Sequence, residues 1–513
     1  MDRRQFIQAG SAASAASVLG LSAGCASTSS GAGGHVVVVG GGYGGATAAK
    51  YIRMWSDGKV NVTLVEPNDA FVSCPISNLV LGGSKQMADI TTPYDNLARR
   101  HGVKIIKDRA VAIDADKRQV RLAGGTTLSY DRLVLSPGID FMPDALPGLK
   151  KPGAQDRVLH SWKAGAQTVA LRQQLEAMPD GGVYALAIPL APYRCPPGPY
   201  ERACQVAHYF SKAKPKSKVL ILDANDDVTS KGPLFKKAWA DRYKGIIEYR
   251  PKHALTDVDA ATGTLKFEFN DDIKAQVLNV IPPMRAGDVA HNAGLTTANK
   301  RWCDVDWLTM ESKAAKNVHI LGDALQIAPA MPKSGHMANQ HGKVAAAAIV
   351  ALLSGRQPNA LPIYNNTCYS FVSDTDVVHV ASVHAYDADK KTMVPVAGSG
   401  GVSSAASELE GRYAMAWARN IWADSLACPP RVAALLPPCE GGQHLWPAQV
   451  RPRCFWRGLL RGLLSDGCGA SVSRCWPPWP WRPHWRKTAV RRARARSSAA
   501  RAFCFKAPAA NRP

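Results

Sequence analysis

A short apolar strand that runs straight into a glycine-rich turn fixes how this chain must begin to fold. His35-Val36-Val37-Val38-Val39 leads into Gly40-Gly41-Gly42-Tyr43-Gly44-Gly45 and then the helix-forming Ala46-Thr47-Ala48-Ala49-Lys50-Tyr51. A second strand, Asn61-Val62-Thr63-Leu64-Val65, ends in Glu66. Each residue has a physical task in holding a dinucleotide. Gly40 permits the tight turn, Gly42 lets the backbone approach a pyrophosphate, and Gly45 lets helix and strand pack closely. The helix N-terminus offers its partial positive charge to the phosphates. Glu66 can accept hydrogen bonds from ribose hydroxyls. The three glycines alone are a weak signal. Strand, glycines, helix, strand and acid in this order predict a dinucleotide-binding domain.

Two later segments choose the cofactor. Tyr130-Asp131-Arg132-Leu133-Val134-Leu135-Ser136-Pro137-Gly138 reads as a strand ending in a small-residue turn. Asn317-Val318-His319-Ile320-Leu321-Gly322-Asp323-Ala324 reads as a strand ending in Gly-Asp. Both resemble signatures of flavoproteins with two dinucleotide domains, of the glutathione-reductase type. The resemblance implies FAD, with Gly322 and Asp323 at its ribityl chain. In the middle of the chain, the strand Gly181–Pro189 leads into Leu190-Ala191-Pro192-Tyr193-Arg194-Cys195-Pro196-Pro197-Gly198-Pro199, with no glycine trio. Prolines cannot donate the backbone N–H groups that cradle phosphate. A second dinucleotide-like domain is expected there with its NAD site lost, so the electrons come from another donor.

Six cysteines precede residue 428: Cys25, Cys74, Cys195, Cys204, Cys303 and Cys368. None forms a CxxC, and no histidine stands at metal spacing to them, so no metal site is expected. Cys195 lies between Arg194 and a Pro-Pro-Gly turn, just before a helix-like run. A positive neighbour and a helix start predict a lowered thiol pKa. Cys204 and Cys303 read as core thiols. A structural disulfide is the plain alternative for any pair.

The cysteine contexts carry a more specific resemblance. Val36–Lys50, the run Val72-Ser73-Cys74-Pro75-Ile76-Ser77-Asn78-Leu79-Val80-Leu81-Gly82-Gly83, the run Arg194–Ala203, Pro332-Lys333-Ser334-Gly335 and Asn366-Thr367-Cys368-Tyr369 resemble the flavoprotein subunit of flavocytochrome c sulfide dehydrogenases. The similarity runs from about 34 to 427. It implies that Cys74 carries FAD covalently and that Cys195 and Cys368 form a redox-active disulfide. It implies Glu201 as an acid beside that disulfide and Lys333 as a positive charge near the flavin. A solvated surface lysine is the alternative for Lys333. The implied reaction takes hydrosulfide to zero-valent sulfur or polysulfide and passes electrons through FAD to a c-type cytochrome partner. This chain has no CxxCH and so carries no such haem itself. Two other readings stay open: a sulfide:quinone oxidoreductase, and an inactive subunit that scaffolds a cytochrome.

The expected organisation is α/β: two dinucleotide-binding, Rossmann-like domains of glutathione-reductase type plus a smaller C-terminal domain. FAD binding is assigned to 34–148 and 287–358, the degenerate second domain to 149–286, and a C-terminal interface domain to 359–427. Residues 1–30, with Arg3 and Arg4 ahead of an Ala/Ser-rich stretch, read as a twin-arginine export signal. They predict a periplasmic protein, with lipid attachment at Cys25 as an alternative. The 513 residues carry a net charge of +23, but from Cys428 onward there are 14 Arg and 2 Lys against one Asp and one Glu. That tail, 428–513, reads as disordered or as translation of a shifted frame, so the charge does not predict a nucleic-acid partner. No apolar run past residue 30 approaches the ~20 residues that span a bilayer.

Overall fold

The computed structural model describes residues 33–428, which lie within the first of two compact units, Met1–Ala433 and Ala434–Pro513. The expected export signal, Cys25 and nearly all of the basic tail lie outside the described residues.

The first sheet is parallel, in the order Val318–Ile320, Arg132–Leu135, His35–Val39, Asn61–Val65, Lys104–Ile106. Val36, Val37 and Val38 are fully buried. Parallel strands covered on both faces read as unbroken apolar runs, which is why the sequence marks this strand so clearly. His35–Val39 has Asn61–Val65 on one side and the much later Arg132–Leu135 on the other. The chain therefore reverses direction across the sheet at this strand, and a crevice opens past its carboxyl end. The helices Tyr43–Trp55 and Gly335–Leu353 pack against each other beside the sheet.

A second parallel sheet runs Ile247–Arg250, Lys218–Asp223, Val183–Ile188, Val277–Val280. Ala185, Ala187, Leu220 and Leu222 share a separate core with Val258, Leu265 and Phe267 from a small antiparallel sheet. The helix after Val183–Ile188 is Gly198–Ala213. The connection between them is the proline-rich loop that holds Cys195.

The C-terminal part is an antiparallel sheet, with Ile363–Phe371 against Val377–Asp387, followed by the helix Glu408–Leu426. Ser407 caps that helix, its side chain accepting from the Glu410 N–H. Phe371, Val377, Ala414 and Ala418 pack on Ile76, Leu79 and Val80 of the first domain. This contact brings the strand of Cys368 to the segment of Cys74.

Candidate active site

A cavity of about 420 Å³ opens at the carboxyl ends of the first sheet's strands. Gly42, Glu66, Ser136 and Gly322, which follow four of those strands, line it. Gly40 has φ +94°, and a Cβ there would meet the Ser136 carbonyl oxygen at 2.3 Å. A Cβ on Gly45 would lie 1.9 Å from the Gly40 carbonyl oxygen. At Gly42 a Cβ would meet nothing within 4 Å, so the turn is open on the side where a ligand would approach. Glu66 accepts from the Gly41 N–H at 2.7 Å and from Asn68 N–H and Nδ2 at 2.9 and 2.6 Å. The acid thus ties down the glycine turn from the cavity wall. Asp323 Oδ1 is buried with no hydrogen-bond partner among the described residues. Such an oxygen calls for a donor, and because Asp323 lines the cavity a ligand hydroxyl bound there would supply one.

Cys74, Cys195 and Cys368 reach the same cavity from three separate segments. All three are free thiols in this structure. Cys195 takes φ +55°, its N–H donates to the Lys333 carbonyl at 2.8 Å, and its own carbonyl accepts from Gly198 N–H at 2.9 Å. A Cβ on Gly198 would lie 2.9 Å from Cys195 Sγ and 2.7 Å from the Trp162 ring, so only glycine fits under this thiol.

The expected acidic character of Cys195 is not found. Burial pushes its pKa well above the ordinary thiol value, and Cys368 and Glu201 push it further. Arg194 and Lys231 oppose this without overcoming it. Burial is the main reason, and Arg194 adjoins Cys195 in sequence but points elsewhere: its Nη2 donates to Cys74 Sγ at 2.6 Å and to the Trp162 carbonyl at 2.8 Å. The cation next to Cys195 in sequence is spent on a different cysteine. Burial also raises Cys368, with Lys231 opposing.

Glu201 lies on the cavity wall in the first turn of Gly198–Ala213. It accepts from Asn78 Nδ2 at 2.8 Å and from the Phe371 N–H, on the strand of Cys368, at 2.9 Å. Burial raises its pKa against those two hydrogen bonds. Lys333 is no surface lysine, being 3% exposed. Its Nζ donates to the carbonyls of Asp323, at 2.9 Å, and Leu325, and stands 3.6 Å over the Trp302 ring. Burial lowers its pKa to about 7. Cys204 and Cys303 are fully buried core thiols, both pushed up to about 12 by burial.

Several residues of the site escaped the sequence reading. Arg202 donates to Asn78 Oδ1, Asn279 Oδ1 and the carbonyls of His160 and Ser161, tying two segments of the wall to the strand of Asn279. Its guanidinium also lies 4.8 Å from the Trp162 ring centre. Asn78 stands four residues after Cys74, a spacing that puts both beside one helical turn. Arg202 next to Glu201 gave no comparable sign.

Residues 168–282 match the family model for the central part of the sulfide dehydrogenase [flavocytochrome c] flavoprotein chain. Residues 360–426 match the model described as flavocytochrome c sulphide dehydrogenase, flavin-binding. Residues 34–177 match that of the pyridine nucleotide-disulphide oxidoreductases. A sulfide dehydrogenase [flavocytochrome c] flavoprotein chain of Chlorobaculum thiosulfatiphilum is 64% identical over 46 residues, which is 94% of that sequence and 9% of this one. The chain belongs to this family. The flavocytochrome c flavoproteins are FAD-binding oxidoreductases of the sulfide-oxidising kind, and their fold, with two Rossmann-like domains and a C-terminal domain, is the one described above. The mitochondrial sulfide:quinone oxidoreductase of Mus musculus is 28% identical over 323 residues, 60% of this chain and 69% of its own. The crystal structure of the sulfide:quinone oxidoreductase of Aquifex aeolicus superposes with a TM-score of 0.62 at 19% identity, covering 76% of this chain and 91% of that one. A putidaredoxin reductase in complex with putidaredoxin gives 0.52 at 17% identity, covering 69% and 88%. These two structural likenesses speak to the fold.

Proposed function

We propose that this chain oxidises hydrosulfide at the Cys195–Cys368 pair to zero-valent sulfur or polysulfide and passes the electrons through FAD to a c-type cytochrome partner. One observation carries the proposal. Two cysteines 173 residues apart in sequence share a cavity wall with the glycine turn and Asp323. The residues fit FAD: the open Gly42 turn for the pyrophosphate, Glu66 for a ribose, and the unpartnered Asp323 oxygen for a ribityl hydroxyl. Bound there, FAD supplies an acceptor that takes two electrons and releases them singly. Cys74, with Arg194 donating to its sulfur, is the proposed point of covalent attachment.

The cysteines do the sulfur chemistry. With the pair oxidised, hydrosulfide attacks one sulfur and the S–S bond breaks. One cysteine becomes a persulfide and the other leaves as a thiolate, so the charge of the entering anion stays in the site. Glu201, whose affinity for a proton burial has raised, takes the persulfide proton. When the disulfide re-forms, the outer sulfur departs in the zero-valent state and two electrons leave the pair. The proposal extends to export by the twin-arginine route to the periplasm. The named sulfide:quinone oxidoreductase relatives support a second reading in which a quinone is the acceptor. Among the described residues no helix is long and apolar enough to cross a membrane.

The test is an anaerobic titration with sulfide, following the flavin band, with NADH as control. Sulfide bleaches the band and NADH does not. Cys368→Ser keeps the yellow flavin and loses the bleaching. Bleaching by NADH alone, or full sulfide reduction of Cys368→Ser, would overturn the mechanism.

A further inference from the structure

Lys231 is a buried lysine that the mechanism above leaves unused. It precedes the helix Gly232–Arg242, takes φ +58° and is 7% exposed. Its Nζ donates to Ser370 Oγ at 2.7 Å, to the Cys368 carbonyl at 3.0 Å and to the Val378 carbonyl at 3.5 Å. All three acceptors are neutral. Among the described residues no carboxylate lies within ion-pair distance of it. Burying an ammonium on neutral acceptors is costly, and proteins ordinarily pair such a charge.

The groups that face it identify the missing anion. In order of influence these are Cys368, Glu201 from the Gly198–Ala213 helix, Cys195 from the proline loop, and Glu410 from the C-terminal helix. Glu201 is already satisfied by Asn78 and the Phe371 N–H. Glu410 is engaged by Ser403 Oγ at 2.6 Å and by His379 Nδ1 at 3.0 Å. The cysteine pair remains. Closed as a disulfide it carries no charge. Opened by hydrosulfide it holds one anionic sulfur, because the negative charge of the attacking anion is conserved as one S–S bond breaks and another forms.

We propose that Lys231 is an electrostatic positioning residue whose ammonium favours the anionic form of the Cys368 sulfur, against the burial that opposes it, whenever the Cys195–Cys368 pair is open. Its part in turnover rests on the sulfide chemistry proposed above. Its effect on Cys368 in the reduced protein does not, and this allows a clean test. Two of these hydrogen bonds, to the Cys368 carbonyl and Ser370 Oγ, pin the strand at Cys368, so the lysine also fixes the backbone from which the thiol projects.

The experiment is the pH dependence of iodoacetamide alkylation of Cys368 in the reduced holoprotein, read by peptide mass. Lys231→Gln keeps an N–H donor and removes the charge. It moves the alkylation midpoint up by about one pH unit, a ~10-fold slower reaction at any fixed pH below the midpoint. Lys231→Arg restores most of the wild-type profile. Cys204, fully buried, stays unlabelled as long as the fold is intact. An unshifted profile in Lys231→Gln with Cys204 protected overturns the proposal. Should Lys231→Gln label Cys204 and so prove unfolded, the reciprocal measurement decides. The 15N signal of Lys231 Nζ is titrated in the reduced wild type and in Cys368→Ser. Linkage requires a lower midpoint once the thiolate is gone, and equal midpoints overturn the proposal. Sulfide titration of the same samples separates the two claims. An unbleached wild type removes the sulfide chemistry whatever the alkylation shows, and an intact bleaching with unshifted alkylation removes Lys231.

Discussion

Arg194 shows how a single side-chain direction changes the chemistry of a site. Its backbone adjoins Cys195, but its guanidinium donates to Cys74 Sγ at 2.6 Å. The consequence is testable at Cys74. Cys74→Ala leaves FAD with no sulfur to join, so acid precipitation releases all of the flavin to the supernatant. Acid-stable flavin on that variant would remove Cys74 from its proposed role. Lys333 gives a prediction of a different kind. Buried against carbonyls and Trp302, it loses its proton at about 7 in the folded chain. Unfolded, it keeps its proton until about 10.4. Between those values the unfolded chain binds a proton that the folded chain does not, so stability rises with pH. Lys333→Met removes that contribution. From pH 7 to pH 10 the urea midpoint of the wild type therefore climbs relative to that of Lys333→Met. Parallel curves would show that Lys333 keeps its proton when buried.

The elements differ in how much of them the sequence discloses. The strands His35–Val39 and Asn61–Val65 have the bounds that their apolar runs predict, because a strand covered on both faces needs no polar positions. Asp323 was legible for a similar reason, since it follows a short buried strand in a Gly-Asp turn. The proline loop was legible as a site that cannot cradle phosphate. The aim of Arg194 was not legible, nor was the placing of Lys231 behind Cys368, because both depend on how distant segments meet. Lys333 could be read as a surface lysine from its sequence, and only the packing of Trp302 beneath it decides otherwise. The glycine turn offers the sharpest test at this scale. With a Cβ 1.9 Å from the Gly40 carbonyl oxygen, Gly45→Ala must push the Tyr43–Trp55 helix off the strand. The overpacking costs about 1–3 kcal/mol. It appears as a lower urea midpoint together with weaker flavin retention. A variant as stable as the wild type, with full flavin, would show that the helix can shift freely.

At the scale of the whole molecule, the two sheets divide the labour unequally. The first keeps an open glycine turn at its reversal point, where a dinucleotide binds. The second keeps the parallel strands of the same architecture, but the loop after Val183–Ile188 carries Cys195 and prolines where backbone N–H groups would meet phosphate. The C-terminal segment closes the cavity with Thr367, Cys368, Tyr369 and Trp417, so the three cysteines meet between domains. The proposed function has the electron donor enter this arrangement as a small anion and not as a second nucleotide. The route out is a separate question, and the two half-reactions can be measured separately. The protein is first reduced with one equivalent of sulfide without air, then mixed either with a soluble c-type cytochrome or with a short-chain quinone. The proposed function predicts that the flavin band returns at least ~10-fold faster with the cytochrome, a difference of about 1.4 kcal/mol in barrier. Faster return with the quinone would keep the cysteine chemistry and transfer the acceptor to the membrane pool, the reading that the sulfide:quinone oxidoreductase relatives support.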